Sequence, residues 1–205
     1  NGSPYFLTAN HCLGGGTGSW AFRFNWQSPV GTQSCATTAN STDPGPPYDQ
    51  TANGATTLVS GTAADFALLE INTMTLTDAQ NWNCFFAGWD ARQILESDTT
   101  ICVHHPDGEE KRISFEFDGV YRGAWGQGGT PVPNGNHLII EDWNIGTTEM
   151  GSSGSPLFNS DRRVVGQLHG GAASCSNDEY DSYGWFATSW TGGGTSGSRL
   201  RDWLD

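Results

Sequence analysis

Short apolar runs rich in Val, Ile, Phe and Trp recur along the chain, and clusters of Gly, Asn, Asp and Pro separate them. No long segment carries apolar residues at helical spacing. This pattern is typical of an all-β sandwich or barrel. It predicts β-strands at residues 4–9, 21–26, 56–60, 64–71, 83–89, 100–105, 111–117, 137–142, 156–158, 163–170 and 183–190.

The predicted strands fall into two groups, and a break near residues 72–82 lies between them. Two successive β-structures explain this grouping, and a single β-sandwich is the alternative. Residues 38–55 are rich in turn-forming residues and predict a surface loop. The C-terminal residues differ in character, because Ser196 or Ser198 could cap a short helix within residues 195–205.

The chain is acidic, with a formal net charge of −13 and only nine Lys and Arg residues among 205. Binding to nucleic-acid phosphates needs clustered basic residues, so this composition argues against a nucleic-acid partner. The apolar runs are also too short to span a membrane. We therefore expect neither nucleic acid nor membrane as a partner, and the negative charge is compatible with basic peptides.

The five cysteines are widely spaced, and no two of them form a CxxC pair. This spacing argues against a structural zinc site. In a β protein rich in Gly and Trp it favours disulfides, and therefore an oxidising, extracellular compartment. The chain runs almost at once into the apolar segment YFLTA, which predicts that upstream sequence is missing.

His104, His105 and Asp107 are further candidates for metal binding. Adjacent histidines on a strand point to opposite faces of the sheet, so they chelate a single ion poorly. The acidic loops match no EF-hand spacing. We therefore interpret these three residues as structural and predict neither a metal site nor a cofactor.

Three segments carry the residue types that serine catalysis needs, namely a hydroxyl nucleophile, an imidazole base and a carboxylate that orients the imidazole. His11 lies in FLTANHC, Asp65 in ADFALLEI and Ser153 in GSSGSP. Taken alone, each has an ordinary explanation as a surface histidine, a turn aspartate or part of a flexible Gly/Ser loop. Together, the order His, Asp, Ser is that of chymotrypsin-type triads.

The glycines around Ser153 predict an oxyanion hole. Gly151 lets the backbone turn so that its N–H and the N–H of Ser153 point to one spot. A glycine directly after Ser153 keeps the approach open. Ser152 and Ser155 are the alternative nucleophiles.

Longer motifs resemble one family more narrowly. They run nearly end to end and comprise YFLTANHC, DFALLE, AGWD, HHPDGEEKRIS, GSSGSP, VVGQLHGG, SYGWFATSWTGGG and SRLRDWLD. They are similar to the lysyl endopeptidases of the Achromobacter and Lysobacter type. The resemblance implies an all-β, chymotrypsin-like double β-barrel with the active site between the barrels. The first barrel would span residues 1–75 and would lack its N-terminal strands. The second barrel would span residues 82–194. A short C-terminal helix would follow over residues 195–205.

The resemblance also implies a preference for Lys at the P1 position. Trypsin-like enzymes place an acidic pocket residue six positions before the nucleophile, and that position is Thr147 here. The lysyl endopeptidases use a D-x-YG motif instead, and the segment that begins at Asp181 matches it. A carboxylate in a narrow pocket would pair with a Lys ammonium and reject neutral side chains. The alternative for Asp181 is one more exposed acid in a charged loop.

Further residues are expected beside the substrate. The segment VVGQLHGG, which includes His169, Gly170 and Gly171, would pair with the substrate backbone. His169 would lie near the catalytic aspartate and would tune the electrostatics of the triad. Trp125 matches a family tryptophan beside the catalytic histidine, and plain packing is the alternative.

The resemblance also has implications for which cysteines form disulfides. In the family, the cysteines that match Cys12, Cys35 and Cys175 pair with cysteines of an N-terminal region that this chain lacks. Cys84 and Cys102 remain, and the predicted strands place them on consecutive strands of the second barrel. We therefore predict a disulfide between Cys84 and Cys102.

The predicted function is that of a secreted, monomeric serine endopeptidase that cleaves polypeptide substrates after Lys, with acceptance of Arg left open. A glutamyl endopeptidase of the same fold is one alternative, and Asp181 argues against it. A non-catalytic binding module that kept the fold is another, and the presence of all three candidate triad residues argues against that one.

Overall fold

The structure, a computed structural model, describes residues 3–27, 49–93 and 99–204. Its N-terminal strands are β1 (Tyr5–Ala9), β2 (Ala21–Arg23), β3 (Thr51–Asn53), β4 (Ala55–Gly61) and β5 (Phe66–Ile71). Its C-terminal strands are β6 (Gly88–Trp89), β7 (Thr100–His104), β8 (Arg112–Glu116), β9 (Tyr121–Gly123), β10 (His137–Ile140), β11 (Pro156–Phe158), β12 (Arg163–Gly171) and β13 (Asp181–Trp185). The helices are α1 (Leu76–Asn81), α2 (Phe186–Thr191) and α3 (Arg201–Leu204). The predicted mostly-β architecture is confirmed.

The N-terminal part contains two small antiparallel sheets. Strand β5 lies between β1 and β4, while β2 and β3 form a separate ladder. Because β5 is covered on both faces, its sequence FALLEI is almost entirely apolar. The core of this part consists of Phe22, Ala52, Ala55, Ala67, Leu69, Ile71, Met74 and Ala79.

The C-terminal part is an eight-stranded sheet in the order β8-β7-β11-β12-β13-β10-β9, with β6 paired in parallel to β12. Within the described residues its strand pairings do not join β8 to β9, so the sheet is open. Its core consists of Cys102, Leu138, Ile140, Trp143, Leu157, Leu168, Tyr183, Trp185 and Ala187. A third cluster joins the two parts and contains Val59, Ala64, Phe66, Leu68, Val164, Phe186 and Leu200.

The C-terminal boundaries differ from the predicted ones. The pattern predicts one strand over 183–190, whereas β13 ends at Trp185 and α2 follows it directly. Phe186, Thr188 and Trp190 favour strands by propensity, but Phe186 and Ala187 are buried, and this tertiary packing overrides the preference. The helix predicted within 195–205 is restricted to α3. None of the described helices has the length and hydrophobicity that a membrane span requires.

Earlier in the chain, α1 occupies the predicted break. It begins with a capping box in which Thr75 and Asp78 each accept a hydrogen bond from the other's backbone N–H. The strand predicted over 83–89 is reduced to the two residues of β6, because the turn after α1 ends at residue 83 and residues 84–87 form no regular secondary structure. The loop predicted over 38–55 contains β3, and its residues 38–48 lie outside the described part.

The predicted disulfide between Cys84 and Cys102 is wrong, because both residues are free thiols. Cys84 follows α1 and packs against the N-terminal core, whereas Cys102 lies in the middle of β7 inside the C-terminal core. The prediction failed because it placed Cys84 on a strand. Cys12 and Cys175 are also free, and Cys35 lies outside the described residues.

Candidate active site

The antiparallel pairing of β1 with β5 brings His11 close to Asp65. Ala9, the last residue of β1, is opposite Phe66, the first residue of β5. The chain leaves β1 in a short 3-10 turn that carries His11, and Asp65 immediately precedes β5. Two segments 54 positions apart in sequence therefore meet at one edge of the sheet.

Three hydrogen bonds connect these segments. The Nδ1 atom of His11 lies 2.6 Å from Oδ2 of Asp65, and the backbone N–H of His11 donates to Oδ1 at 2.9 Å. The backbone N–H of Asn10 donates to the carbonyl of Asp65 at 2.8 Å. Asp65 adopts a left-handed conformation with φ of 52° and is buried, while His11 is partly exposed. This arrangement orients an imidazole and leaves its Nε2 edge accessible, as a general base requires.

The GSSGSP segment packs against the end of β1, next to the turn of His11. The backbone N–H of Gly154 donates to the carbonyl of Leu168 at 2.8 Å. A Cβ atom at Gly154 would lie 2.3 Å from Oγ1 of Thr8, so only glycine permits this approach. Ser153, one residue earlier, is half-buried. The fold thus places Ser153 beside the segment that carries His11.

His169 contacts both Asp65 and His11. Its Nε2 atom lies 3.6 Å from Oδ2 of Asp65, and its ring is stacked on His11 at a centroid distance of 5.6 Å. The indole of Trp125 is stacked on the ring of His169 at a centroid distance of 3.5 Å, with an interplanar angle of 10°. The sequence left plain packing as the alternative for Trp125. In the structure Trp125 contacts His169, which in turn contacts Asp65 and His11.

His137 contacts His169 from the buried side, and sequence reasoning missed it. Its Nε2 atom lies 2.9 Å from Nδ1 of His169, and its own Nδ1 lies 2.8 Å from Oδ1 of Asn136. Burial lowers the pKa of His137 to about 4, and burial also lowers the pKa of His169. Both rings are therefore neutral at pH 7. The apolar run after His137 predicted a strand over 137–142, but no pattern in the sequence indicated the partner of His137.

The donor atoms of His11, Asp65 and His169 all lie within 4.8 Å of one another. Such a cluster can hold a metal ion in other proteins. Here Oδ2 of Asp65 already accepts a hydrogen bond from His11 at 2.6 Å. The pairing of carboxylate with imidazole explains the cluster without a metal, and we assign none to it.

Asp181 lies at the start of β13 and is buried, with 1% of its surface exposed. Its Oδ2 atom accepts hydrogen bonds from Nε1 of Trp143 at 2.8 Å and from Oγ1 of Thr148 at 2.7 Å. Its Oδ1 atom is buried without a hydrogen-bond partner. Burial raises the pKa of this carboxyl, and the two hydrogen bonds oppose the rise. No sequence signal identified Trp143 or Thr148 as its partners.

The two glycines after His169 permit close contacts. A Cβ atom at Gly171 would lie 2.4 Å from Oδ1 of Asp181, and Gly171 is paired with Asp181 across the sheet. Gly170 has a φ of 142°, and a Cβ there would lie 3.3 Å from the indole of Trp125. Gly170 therefore lies against Trp125, and Gly171 lies against Asp181.

Comparison with known families gives a match over residues 1–187, to the family described as lysyl endopeptidase, C-terminal domain. The match covers most of the chain and includes all three candidate triad residues.

Solved structures share the fold at low sequence identity. A thermostable serine protease AL20 from an extremophilic microorganism matches with a TM-score of 0.59 and 15% identity over 90% of this chain and 79% of its own. A Glu endopeptidase matches with a TM-score of 0.56 and 16% identity, covering 89% and 76%. The Rv3671c protein of M. tuberculosis matches with a TM-score of 0.50 and 13% identity, covering 89% and 71%. The fold is thus that of the chymotrypsin-like serine proteases.

Proposed function

This chain belongs to the family of lysyl endopeptidase C-terminal domains, and we propose that it is a serine endopeptidase that cleaves polypeptides on the carboxyl side of lysine. The buried carboxylate of Asp181, with one oxygen unpartnered, carries the proposal of lysine specificity. The pairing of His11 with Asp65 supports the proposed chemistry.

The proposed mechanism is acyl transfer. Ser153 attacks the scissile carbonyl, and His11 takes the proton from its hydroxyl. Asp65 holds the Nδ1–H tautomer of His11, so that Nε2 is free to act as the base, and stabilises the imidazolium that forms. The N–H groups of Gly151 and Ser153 stabilise the oxyanion. His11 then protonates the leaving amine, and water releases the acyl group by the same steps.

Asp181 would recognise the lysine side chain. A buried carboxylate without a cationic partner is electrostatically costly, and the raised pKa of Asp181 reflects that cost. A lysine ammonium next to Oδ1 would relieve it, whereas a neutral side chain would leave the charge unpaired. A glutamate at P1 would add a second negative charge, so the glutamyl alternative is disfavoured.

Two measurements test this proposal. A mixed peptide set, analysed by mass spectrometry, should show cleavage predominantly after lysine. A fluorophosphonate probe should label the protein at Ser153 and nowhere else. Cleavage after glutamate would reject the lysine specificity while leaving the chemistry intact, and a protein that neither cleaves nor labels would support the binding-module alternative.

We also propose, from the family and the sequence, that the protein is secreted and monomeric. Recovery of the activity from the culture medium rather than the cell fraction tests the first point. Sedimentation at micromolar concentration, with an expected mass of 22.0 kDa, tests the second.

A further inference from the structure

His104 lies directly behind the GSSGSP turn. It is the last residue of β7, and only 2% of its surface is exposed. Both of its ring nitrogens have partners, since Nδ1 lies 2.8 Å from Oγ of Ser152 and Nε2 lies 3.2 Å from Oγ of Ser114. A buried imidazole with both nitrogens engaged is held in one orientation.

The directions of these hydrogen bonds follow from their partners. The hydroxyl of Ser114 donates to the carbonyl of Thr147 at 2.8 Å, so it accepts from Nε2–H of His104. Burial lowers the pKa of His104 to about 4, so the ring is neutral at pH 7 and its Nδ1 is an acceptor. The hydroxyl of Ser152 therefore donates to Nδ1, and its oxygen accepts from the backbone N–H of Glu149 at 3.3 Å.

The residues after His104 contact the same turn through their backbone. The N–H of Asp107 donates to the carbonyl of Met150 at 2.6 Å. A Cβ atom at Gly151 would lie 3.2 Å from the nitrogen of Asp107, so the two backbones are in close contact. The HHPDG segment thus contacts three consecutive residues of the turn, namely Met150, Gly151 and Ser152.

We propose that His104 is a positioning residue that holds Ser152, and with it the N–H of Ser153, in the orientation that stabilises an oxyanion together with the N–H of Gly151. A rotation at Ser152 would turn the peptide plane that carries the N–H of Ser153. The plane that carries the N–H of Gly151 is held by the hydrogen bond from Asp107 to the carbonyl of Met150. Displacement of a reacting or stabilising group by about 1 Å can cost roughly 100-fold in rate. This inference rests on the proposed function, because it presumes an oxyanion hole at Gly151 and Ser153.

Two variants that each keep half of the contacts of His104 test the proposal. In His104→Asn, Oδ1 occupies the place of Nδ1 and still accepts from Ser152. In His104→Gln, Nε2 occupies the place of the ring Nε2 and still donates to Ser114, but the acceptor for Ser152 is lost. We expect His104→Asn to keep kcat within about threefold of the wild type, and His104→Gln to lose about 10- to 100-fold in kcat with little change in KM.

Ser152→Ala provides a second measurement that leaves the histidine in place. It should lower kcat as much as His104→Gln does, and the double variant should lose no more than either single variant, because both changes remove the same hydrogen bond. A general loss of stability would instead lower the activity of the Asn and Gln variants alike, in step with their Tm.

The outcomes separate this inference from the proposed function. A fluorophosphonate-reactive wild type with a fully active His104→Gln variant would overturn the inference alone, as would equal losses in the Asn and Gln variants. A wild type that does not react with fluorophosphonate would overturn both.

Discussion

The Nε2 atom of His137 and the Nδ1 atom of His169 lie 2.9 Å apart, and one hydrogen bond joins them. The amide nitrogen of Asn136 donates to the carbonyl of Ala63, so its oxygen faces Nδ1 of His137 as an acceptor. His137 therefore carries its proton on Nδ1 and accepts through Nε2. His169 donates from Nδ1, which leaves its bare Nε2 facing Asp65 at 3.6 Å.

This tautomer keeps His169 from competing with His11 for Asp65. In His137→Phe the acceptor for Nδ1–H of His169 is lost, and we expect the proton to move to Nε2. The Nε2–H of His169 would then donate to Asp65 and weaken the stabilisation of the His11 imidazolium. The value of kcat/KM should fall about tenfold, and the midpoint of its acid limb should move to lower pH. Rate profiles between pH 5 and 9, in roughly half-unit steps, measure both effects.

His137→Gln is the matched control for this prediction. Its side-chain oxygen can replace Nε2 as the acceptor for His169, so it should restore most of the activity and the wild-type acid limb. If the Phe and Gln variants show the same profile, the tautomer of His169 does not depend on His137.

The parts of the site that lie in continuous motifs were predictable from sequence. FLTANHC and ADFALLEI indicated the strand ends at which His11 and Asp65 meet, because an apolar strand followed or preceded by one polar residue marks a sheet edge. His137 and Trp143 were not predictable. Their partners are 32 and 38 positions away, and side-chain hydrogen bonds between distant strands leave no periodic signal.

The errors in the fold have a similar cause. The capping box of Thr75 and Asp78 was a readable signal for α1, but the segment is too short to show a helical period. The error at Cys84 followed from reading its aromatic neighbours Phe85 and Phe86 as strand-forming, although Phe85 is 84% and Phe86 49% exposed.

Replacement of the proposed nucleophile should separate Ser153 from its neighbour Ser155. Ser155 donates its hydroxyl to the carbonyl of Ser152 at 2.6 Å and contacts Sγ of Cys102 at 3.4 Å, so it has a role in packing. We expect Ser153→Ala to lose at least about 10³-fold in kcat and all fluorophosphonate labelling. Ser155→Ala should cost far less, and the reverse ranking in a steady-state assay would refute the assignment.

Asp181→Asn should lower kcat/KM for lysine substrates, because the ammonium loses its charged partner. The expected loss of transition-state stabilisation is about 2–5 kcal/mol. The free protein should not lose stability. A carboxyl whose pKa is raised on folding stabilises the fold below its unfolded pKa and loses that contribution as the pH rises through the folded pKa. At pH 7 the amide removes a costly buried charge. Parallel kinetics and thermal unfolding measure both effects, and retained lysine selectivity would contradict the role of Asp181.

The same raised pKa predicts the pH dependence of lysine binding. As the pH falls, Asp181 takes up its proton at a higher pH than an ordinary aspartate would, and the neutral carboxyl no longer pairs with the ammonium. KM for lysine substrates should therefore rise at the acid end. In Asp181→Asn, which lacks the titrating group, KM should stay flat over the same range, and a parallel rise in the variant would assign the effect to another group.

Lys111 is the only lysine in the chain, and its position predicts resistance to self-cleavage. Its backbone N–H donates to the carbonyl of Trp26 at 2.9 Å, and its Nζ donates to Gln27. The next residue, Arg112, begins β8 and is paired with His104 in β7. A protease binds its substrate as an extended chain, so β8 would have to leave the sheet before the bond after Lys111 could be cut.

We therefore expect the inactive Ser153→Ala protein to remain intact at Lys111 when it is incubated with the active wild type under native conditions. Mild heating should expose the bond, because cleavage then follows the population of the opened state. Asp178→Lys in the Ser153→Ala background is the matched control, since residue 178 is exposed in the loop between β12 and β13. Fragment masses should show native cleavage after the introduced lysine only. Equal native cleavage at both lysines would show that β8 does not protect Lys111, whereas cleavage at neither lysine, even after heating, would count against lysine specificity itself.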